Sequence, residues 1–389
     1  MEESMTDIFR IERQRFPILK KYAYLKCAST GPIPDYVYNS VNRYQQDRYF
    51  LGGDSSWDGM DFLQMLQSSK ESLGQMLHCS AEDIAFGPNS SALCNIFIHG
   101  LNIQPGENVL LSDMAFISGR FSWQCVEQKG VELRFLPTCE GMLTPECIEK
   151  AINEKTRAVF LCHVESATGF RHDIEAIGKL CRSKGVWFGL DCVQSAGAFP
   201  IDVDKQCIDF LAGNDYKWML HYSGCGFAYI SEKLRQIIPP YGAGWMSDSY
   251  RFDTSRIRLT PRQDAGKYEF GFPCASGVRA LGLVAERYVQ LGAEQREDRI
   301  LGTVSYLYQQ IKSCPITELV YEFPKESRSG IVYFRVNDDP EAIKQRFMRD
   351  DVQADIRPQP DGTTIIRAGI HYYNSNNDID RLMSSIGSK

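Results

Sequence analysis

The chain has 389 residues, 43% of them hydrophobic and 24% charged, a composition that excludes a disordered or collagen-like polymer and leaves room for two or three structural units. Its 43 Lys and Arg against 49 Asp and Glu give a net charge of -6 with no long block of either sign, which argues against nucleic acid as the main partner. No stretch reaches the ~18 uninterrupted apolar residues of a membrane span, so no membrane association and a cytoplasmic location are expected.

In chain order, a run of short apolar segments begins after residue 107. Asn108 to Ser112, Glu132 to Leu136, Ala158 to His163, Val186 to Asp191, Asp209 to Asn214 and Gly226 to Ile230 read as strands. They are apolar without clean alternation, as in a sheet covered on both faces. Between two of them, Ile174, Ile177, Leu180 and Cys181 form one helical stripe, with Asp173 as its cap and Gly185 just past its end. Strand, helix, strand units of this kind build a mostly parallel sheet, and ligands gather beyond the carboxyl ends of its strands. Asp191 and His163 fall at such ends.

After residue 250 the pattern changes to a polar, Arg-rich stretch. Helices are expected over Val278 to Leu291 and Ile300 to Ser313, then the strand IVYFRV, a helix over Pro340 to Arg349, the strands DVQADIR and TIIRAGI, and a last helix over Asn377 to Ile386. The expected fold class is α/β: a large domain over 18–262 with a mostly parallel central sheet covered by helices, and a smaller α+β domain formed by 1–17 and 263–389. Thirteen scattered cysteines without a CxxC pair encode neither a disulfide framework nor a metal site, and read as reduced thiols.

The chemistry concentrates in Lys217, in NDYKWML, and Asp191, each just beyond or at the end of a strand and facing one crevice. A buried lysine has a lowered pKa and a usable nucleophile, and Schiff-base formation is its natural use. Alone, Lys217 would read as a surface lysine in a turn. A lysine that binds pyridoxal phosphate also needs a carboxylate at the pyridine nitrogen, an anion hole and an aromatic lid. GPNSSALCNIF offers the anion hole: Ser90 and Ser91 stand at the start of an apolar helix, although residues of this kind cap helices generally.

Three blocks, HVESATG, LDCVQSAG and NDYKWML, together with YLKCASTGPIP at Tyr24 and IIRAGIHYYN near the C-terminus, resemble the class V aminotransferase family of fold type I pyridoxal phosphate enzymes. That family includes cysteine desulfurases, kynureninases, isopenicillin N epimerase and cysteine C-S lyases. The resemblance implies that Lys217 forms the Schiff base and moves the α proton, that Asp191 keeps the pyridine nitrogen protonated, and that Gln194 hydrogen-bonds the cofactor's phenolic oxygen. It implies phosphate contacts for Ser90, Ser91, Tyr216 and, less directly, Asn214. Phe116 takes the place of the ring-stacking side chain, Arg367 that of the clamp on the substrate α-carboxylate, and His163 a place near the ring, where a structural histidine reads equally well.

Two departures stand out. The stretch Arg357 to Ile366, where desulfurases carry a loop cysteine, has none, and Phe272 in EFGFP stands where many members place a threonine that crosses the dimer interface. A homodimer is still expected. The resemblance implies a pyridoxal phosphate enzyme acting at the α carbon of an amino acid, with a C-S lyase type of β-elimination preferred, a class V aminotransferase or epimerase as the alternative, and a persulfide-forming desulfurase disfavoured.

Overall fold

The structure is a computed structural model that describes residues 2–52 and 60–387. A helix (Glu2–Gln14) and a two-residue strand, β1 (Ala23–Tyr24), precede helices Asp35–Leu51 and Met60–Leu77. The central sheet follows: β2 (Ile84–Gly87), β3 (Asn108–Ser112), β4 (Glu132–Leu136), β5 (Thr156–Cys162), β6 (Trp187–Asp191), β7 (Phe210–Asn214) and β8 (Gly226–Ile230). These seven run in the order β2-β8-β7-β6-β5-β3-β4. Pairings from β7 through β4 are parallel, whereas β8 is antiparallel to both of its neighbours. Every residue of β3, β7 and β8 is buried, as continuous apolar runs require when helices cover both faces.

The six strands expected in this sheet hold to within two residues, whereas the strand expected at DVQADIR divides into Val352–Gln353 and Asp355–Pro358, which join different sheets. The helix expected between β5 and β6 also holds, as Ile174–Lys184, in which the Asp173 side chain accepts from Ala176 N–H and Gly185 closes the end at φ 67°. The strand β2 and the reversed direction of β8 are additions that the apolar pattern did not contain.

Helices Ala275–Leu291 and Ala293–Ser313 begin several residues earlier than periodicity placed them. Beyond them lie β9 (Thr317–Leu319), β10 (Ile331–Val336), β11 (Val352–Gln353), β12 (Asp355–Pro358) and β13 (Thr364–Gly369), with helices Pro340–Arg349 and Asn376–Gly387. An antiparallel sheet runs β12-β13-β10-β9, and β11 pairs with β1 near the chain start. Residues 23–24, which a boundary at 18 gives to the large part, are therefore stitched to the C-terminal part. Helix Ala275–Leu291 packs against Met60–Leu77 so closely that a Cβ on Gly282 would lie 2.5 Å from Ser69 Oγ.

The two parts meet at close backbone contacts. Gly169, at φ 83°, ends the HVESATG block, and a Cβ there would lie 2.3 Å from the Ile331 carbonyl oxygen of β10. Gly31 donates its N–H to Tyr216 O at 2.8 Å, and a Cβ on it would fall 2.0 Å from Lys217 O. The N-terminal loop thus lies directly on the backbone that carries the candidate lysine.

Candidate active site

A cleft opens where the carboxyl ends of β5, β6 and β7 meet the start of helix Ser90–Gly100, the crevice position expected for an open α/β sheet. Ser90, Ser91, Phe116, Asp191, Gln194, Asn214, Tyr216 and Lys217 all line it. Eight positions spread over 128 residues of sequence, from Ser90 to Lys217, are brought into one space.

Lys217 is buried, and its Nζ sits 5.5 Å from the centre of the Phe116 ring and 5.6 Å from that of Tyr216. Burial pulls its pKa below the usual lysine value, the nearby Asp191 carboxylate works against that, and Arg367 adds to it. Asp191 ends β6 and accepts the Val193 N–H at 2.8 Å through Oδ1. Its pKa is raised to about 6, by desolvation first, with the Val193 bond and Lys217 opposing. A carboxyl group held this high is unstable as an isolated anion and is stabilised by a cation placed against it.

At the opposite end, Asn89 caps helix Ser90–Gly100 by accepting from Ala92 N–H, and the first bond within the helix runs from Leu93 N to Asn89 O. The N–H groups of Ser90 and Ser91 accordingly precede the helical ladder. Gly226, at the start of β8, lets this turn sit against the sheet, since a Cβ there would lie 2.9 Å from the Asn89 carbonyl carbon and 3.0 Å from Ser90 N. Asn214 Oδ1 is buried without a partner among the described residues. Tyr216, directly before the lysine, is half-buried beside Asn214.

Gln194 has a fixed orientation. Its Oε1 accepts the Trp218 indole N–H at 2.7 Å, and an indole nitrogen only donates, so the amide NH2 must point the other way, toward Ser166 Oγ at 3.3 Å and Ala28 O at 3.1 Å. Arg367 reaches the same hydroxyl: Nη2 donates to Ser166 Oγ at 3.2 Å and to Ala28 O at 3.4 Å, while Nη1 donates to Ser29 Oγ at 3.2 Å and to Asp355 Oδ2 at 3.3 Å. Ser166 is a wall of the cleft, so Arg367 stands at its rim rather than inside it.

His163 is not brought into the site. It directly follows β5, and its neighbours Cys162 and Val164 line the cleft, so alternation turns the imidazole to the other side. There it is buried, its Nδ1 has no partner among the described residues, and desolvation followed by Arg171 and His172 drives its pKa well below the usual value. It is a neutral structural histidine, contrary to its expected place at the ring. Ser166, Ser29, Asp355 and Trp218 are the additions. Ser166 was visible inside HVESATG and Trp218 beside the lysine, but Ser29 and Asp355 become neighbours only through long-range pairing of the N-terminal loop with β12 and β13.

The residues fit pyridoxal phosphate: a desolvated amine for its aldehyde, a carboxylate that calls for a cation, donors at a helix start for its phosphate, and a half-exposed phenylalanine for its ring. The comparisons with known proteins agree. A probable cysteine desulfurase of Methanothermobacter thermautotrophicus is 26% identical, covering 95% of this chain and 95% of its own. An uncharacterized aminotransferase of Bacillus subtilis, YcbU, is 23% identical over 74% of this chain and 75% of that protein. Among solved structures, the cystine C-S lyase C-DES in complex with its reaction product cysteine persulfide superposes with a TM-score of 0.86 at 22% identity, covering 96% of this chain and 99% of that one. A cysteine desulfurase from Thermococcus onnurineus does so with a TM-score of 0.85 at 20% identity, over 96% of each chain. The aminotransferase class-V model matches residues 23–382, all but the ends of the sequence, and with the lysine, carboxylate and anion-binding turn assembled in one cleft the chain belongs to that family of pyridoxal phosphate enzymes.

Proposed function

We propose that this enzyme removes the α proton of an amino acid and expels a sulfur substituent from the β carbon. The observation that carries the choice is the hairpin between β12 and β13. It is short, closed by the Gln359 N–H to Thr363 O bond at 2.9 Å, and carries no thiol that could take sulfur from a substrate. The thiols around the cleft, Cys94 and Cys162, sit in a helix and a strand, and burial raises both far above the usual cysteine range. Neither is a mobile thiolate.

Bound in the cleft, pyridoxal phosphate supplies a sink for the electron pair left at the substrate α carbon. The protein does the rest. Arg367 and the Ser166 hydroxyl hold the α-carboxylate, a planar fork suiting that group better than a lysine would. Lys217, its charged form disfavoured by burial, takes the α proton. The C–H electron pair becomes the new carbon–carbon double bond as the C–S bond breaks, sulfur leaves with its pair and the proton passes to it. The unsaturated amino acid released is hydrolysed by water to an oxo acid and ammonia. Asp191 and the donors of Ser90, Ser91, Gln194, Asn214 and Tyr216 fix the cofactor at its two ends in this reading, with Phe116 against its face.

The runner-up is a class V aminotransferase or epimerase, favoured by the same lysine and arginine. Purified enzyme incubated with cystine, cysteine and S-alkylcysteines separates the two. Pyruvate, ammonia and a persulfide, sulfide or thiol respectively should appear without any oxo-acid acceptor; strict dependence on an acceptor would overturn the lyase reading. We also place the enzyme in the cytoplasm as a homodimer. Thirteen unpaired cysteines suit a reducing compartment, and no described helix is long and apolar enough to cross a membrane.

A further inference from the structure

Arg367 is already paired before any substrate arrives. Its partner Asp355 lies directly opposite on the neighbouring strand, in register across β12 and β13. Asp355 is itself held, by Ser29 Oγ donating to Oδ2 at 2.5 Å and by Lys26 Nζ 3.8 Å from Oδ1. Asp355 is the one carboxylate in ion-pair contact with Arg367 among the described residues, and the arginine side chain is only 4% exposed. Such a guanidinium would otherwise be a buried, uncompensated charge. Yet all four bonds made by Arg367 are long, between 3.2 and 3.4 Å, so the fork is restrained rather than saturated.

A carboxylate fixed beside the carboxylate-binding arginine has an electrostatic consequence. A monocarboxylic amino acid enters as a neutral zwitterion, whereas an oxo acid enters as an anion and meets Asp355 without an ammonium group to offset it. Both use the same arginine, so the fixed negative charge weakens the oxo acid more. Lys26 compensates little, being partly exposed and screened by water.

We propose that Asp355 is a specificity-determining residue that makes the site favour amino acids over oxo acids. This deepens, and rests on, the lyase reading: an enzyme that repels oxo acids is not inhibited by the oxo acid its released product becomes in water and takes no amino group back from an acceptor. Asp355 acts through Arg367, so it is a positioning and field-setting residue rather than a catalytic one.

The test compares dissociation constants of glycine and pyruvate on the holoenzyme, followed by calorimetry or the cofactor spectrum without turnover. Asp355→Asn keeps the size and an acceptor for Ser29 and Arg367 but removes the charge. It should lower the ratio of the pyruvate constant to the glycine constant by about tenfold, the order expected for one charge a few ångströms away at a partly solvated site. Asp355→Glu should restore the wild-type ratio, which a merely structural role would not. Ser29→Ala, loosening the anchor, should shift the ratio in the same direction by a smaller factor, which keeps the proposal testable if the asparagine variant folds poorly. An unchanged ratio in both Asp355→Asn and Ser29→Ala, or a glutamate variant that behaves like the asparagine one, would overturn the proposal. The outcome is separate from that of the lyase reading, because the ratio is measured on binding and the product assay on turnover.

Discussion

The Asp191 carboxyl carries a penalty that the cofactor is suited to remove. In the cofactor-free protein its pKa is raised from 3.8 to about 6, chiefly by desolvation. The folded state therefore holds a proton that the unfolded chain has lost across that window, and stability falls as pH rises through it and stays low above. Asp191→Asn removes this dependence while keeping an acceptor for Val193 N–H. Compared by thermal unfolding without cofactor, the variant and the wild type should differ little near pH 4. The advantage of the variant should grow up to about pH 6, reaching about 2–3 kcal/mol. With cofactor added, the wild type should regain the ground, because only its carboxylate can pair with a pyridinium. A difference that does not change with pH would mean that Asp191 is solvated and not poised for that role. Residue chemistry of this kind was legible only in part. Lys217, Asp191, Gln194 and the two serines stand in recognisable blocks, whereas His163 shares a block with Ser166 and only the folded chain shows that Ser166, in the turn after β5, is the one that lines the cleft.

At the level of elements, the helix capped by Asp173 and ended by Gly185 was readable because local geometry alone determines it. The reversed β8 was not, because its run GFAYI is as apolar as that of any parallel neighbour and direction leaves no mark on composition. Helix Asp35–Leu51 escaped for a different reason: it buries only Val37 and Val41 and exposes Tyr49, Phe50 and Leu51, so no clean apolar stripe marks it. The β12 to β13 hairpin places Asp355 opposite Arg367, yet the pairing register that does so is invisible until the strands are known. The Arg-rich stretch after residue 250 holds only short helical turns, with Arg256 facing Tyr250 at 4.1 Å and Arg262 paired with Asp264.

Over the whole molecule, chain ends and centre are tied by pairings of very long sequence range. Arg13 in the first helix makes a two-pronged pair with Asp378 in the last, at 2.7 and 2.8 Å, and buried Glu12 pairs with Arg287 and Arg15. These contacts tie the first helix to helices Ala275–Leu291 and Asn376–Gly387. On the outside, Trp245 meets Phe272 and Phe252 edge-on or tilted, and Phe272 meets Phe62, leaving an apolar surface in which Phe272 and Phe252 are each 60% exposed. A patch of that kind supports the proposed homodimer. Light scattering should give twice the 44.2 kDa chain mass, and Trp245→Asp should shift it toward the monomer; a wild-type monomer at micromolar concentration would remove the dimer from the account.

The proposed chemistry rests on one covalent bond, between the cofactor and Lys217. Reduction of the holoenzyme with borohydride, followed by proteolysis and mass spectrometry, should find the phosphopyridoxyl group on Lys217 alone, in the peptide containing NDYKWML, together with loss of the absorbance near ~420 nm expected for a protonated Schiff base. Labelling of a different lysine, or none on a protein that has bound the cofactor, would contradict the assignment of this cleft as the catalytic site.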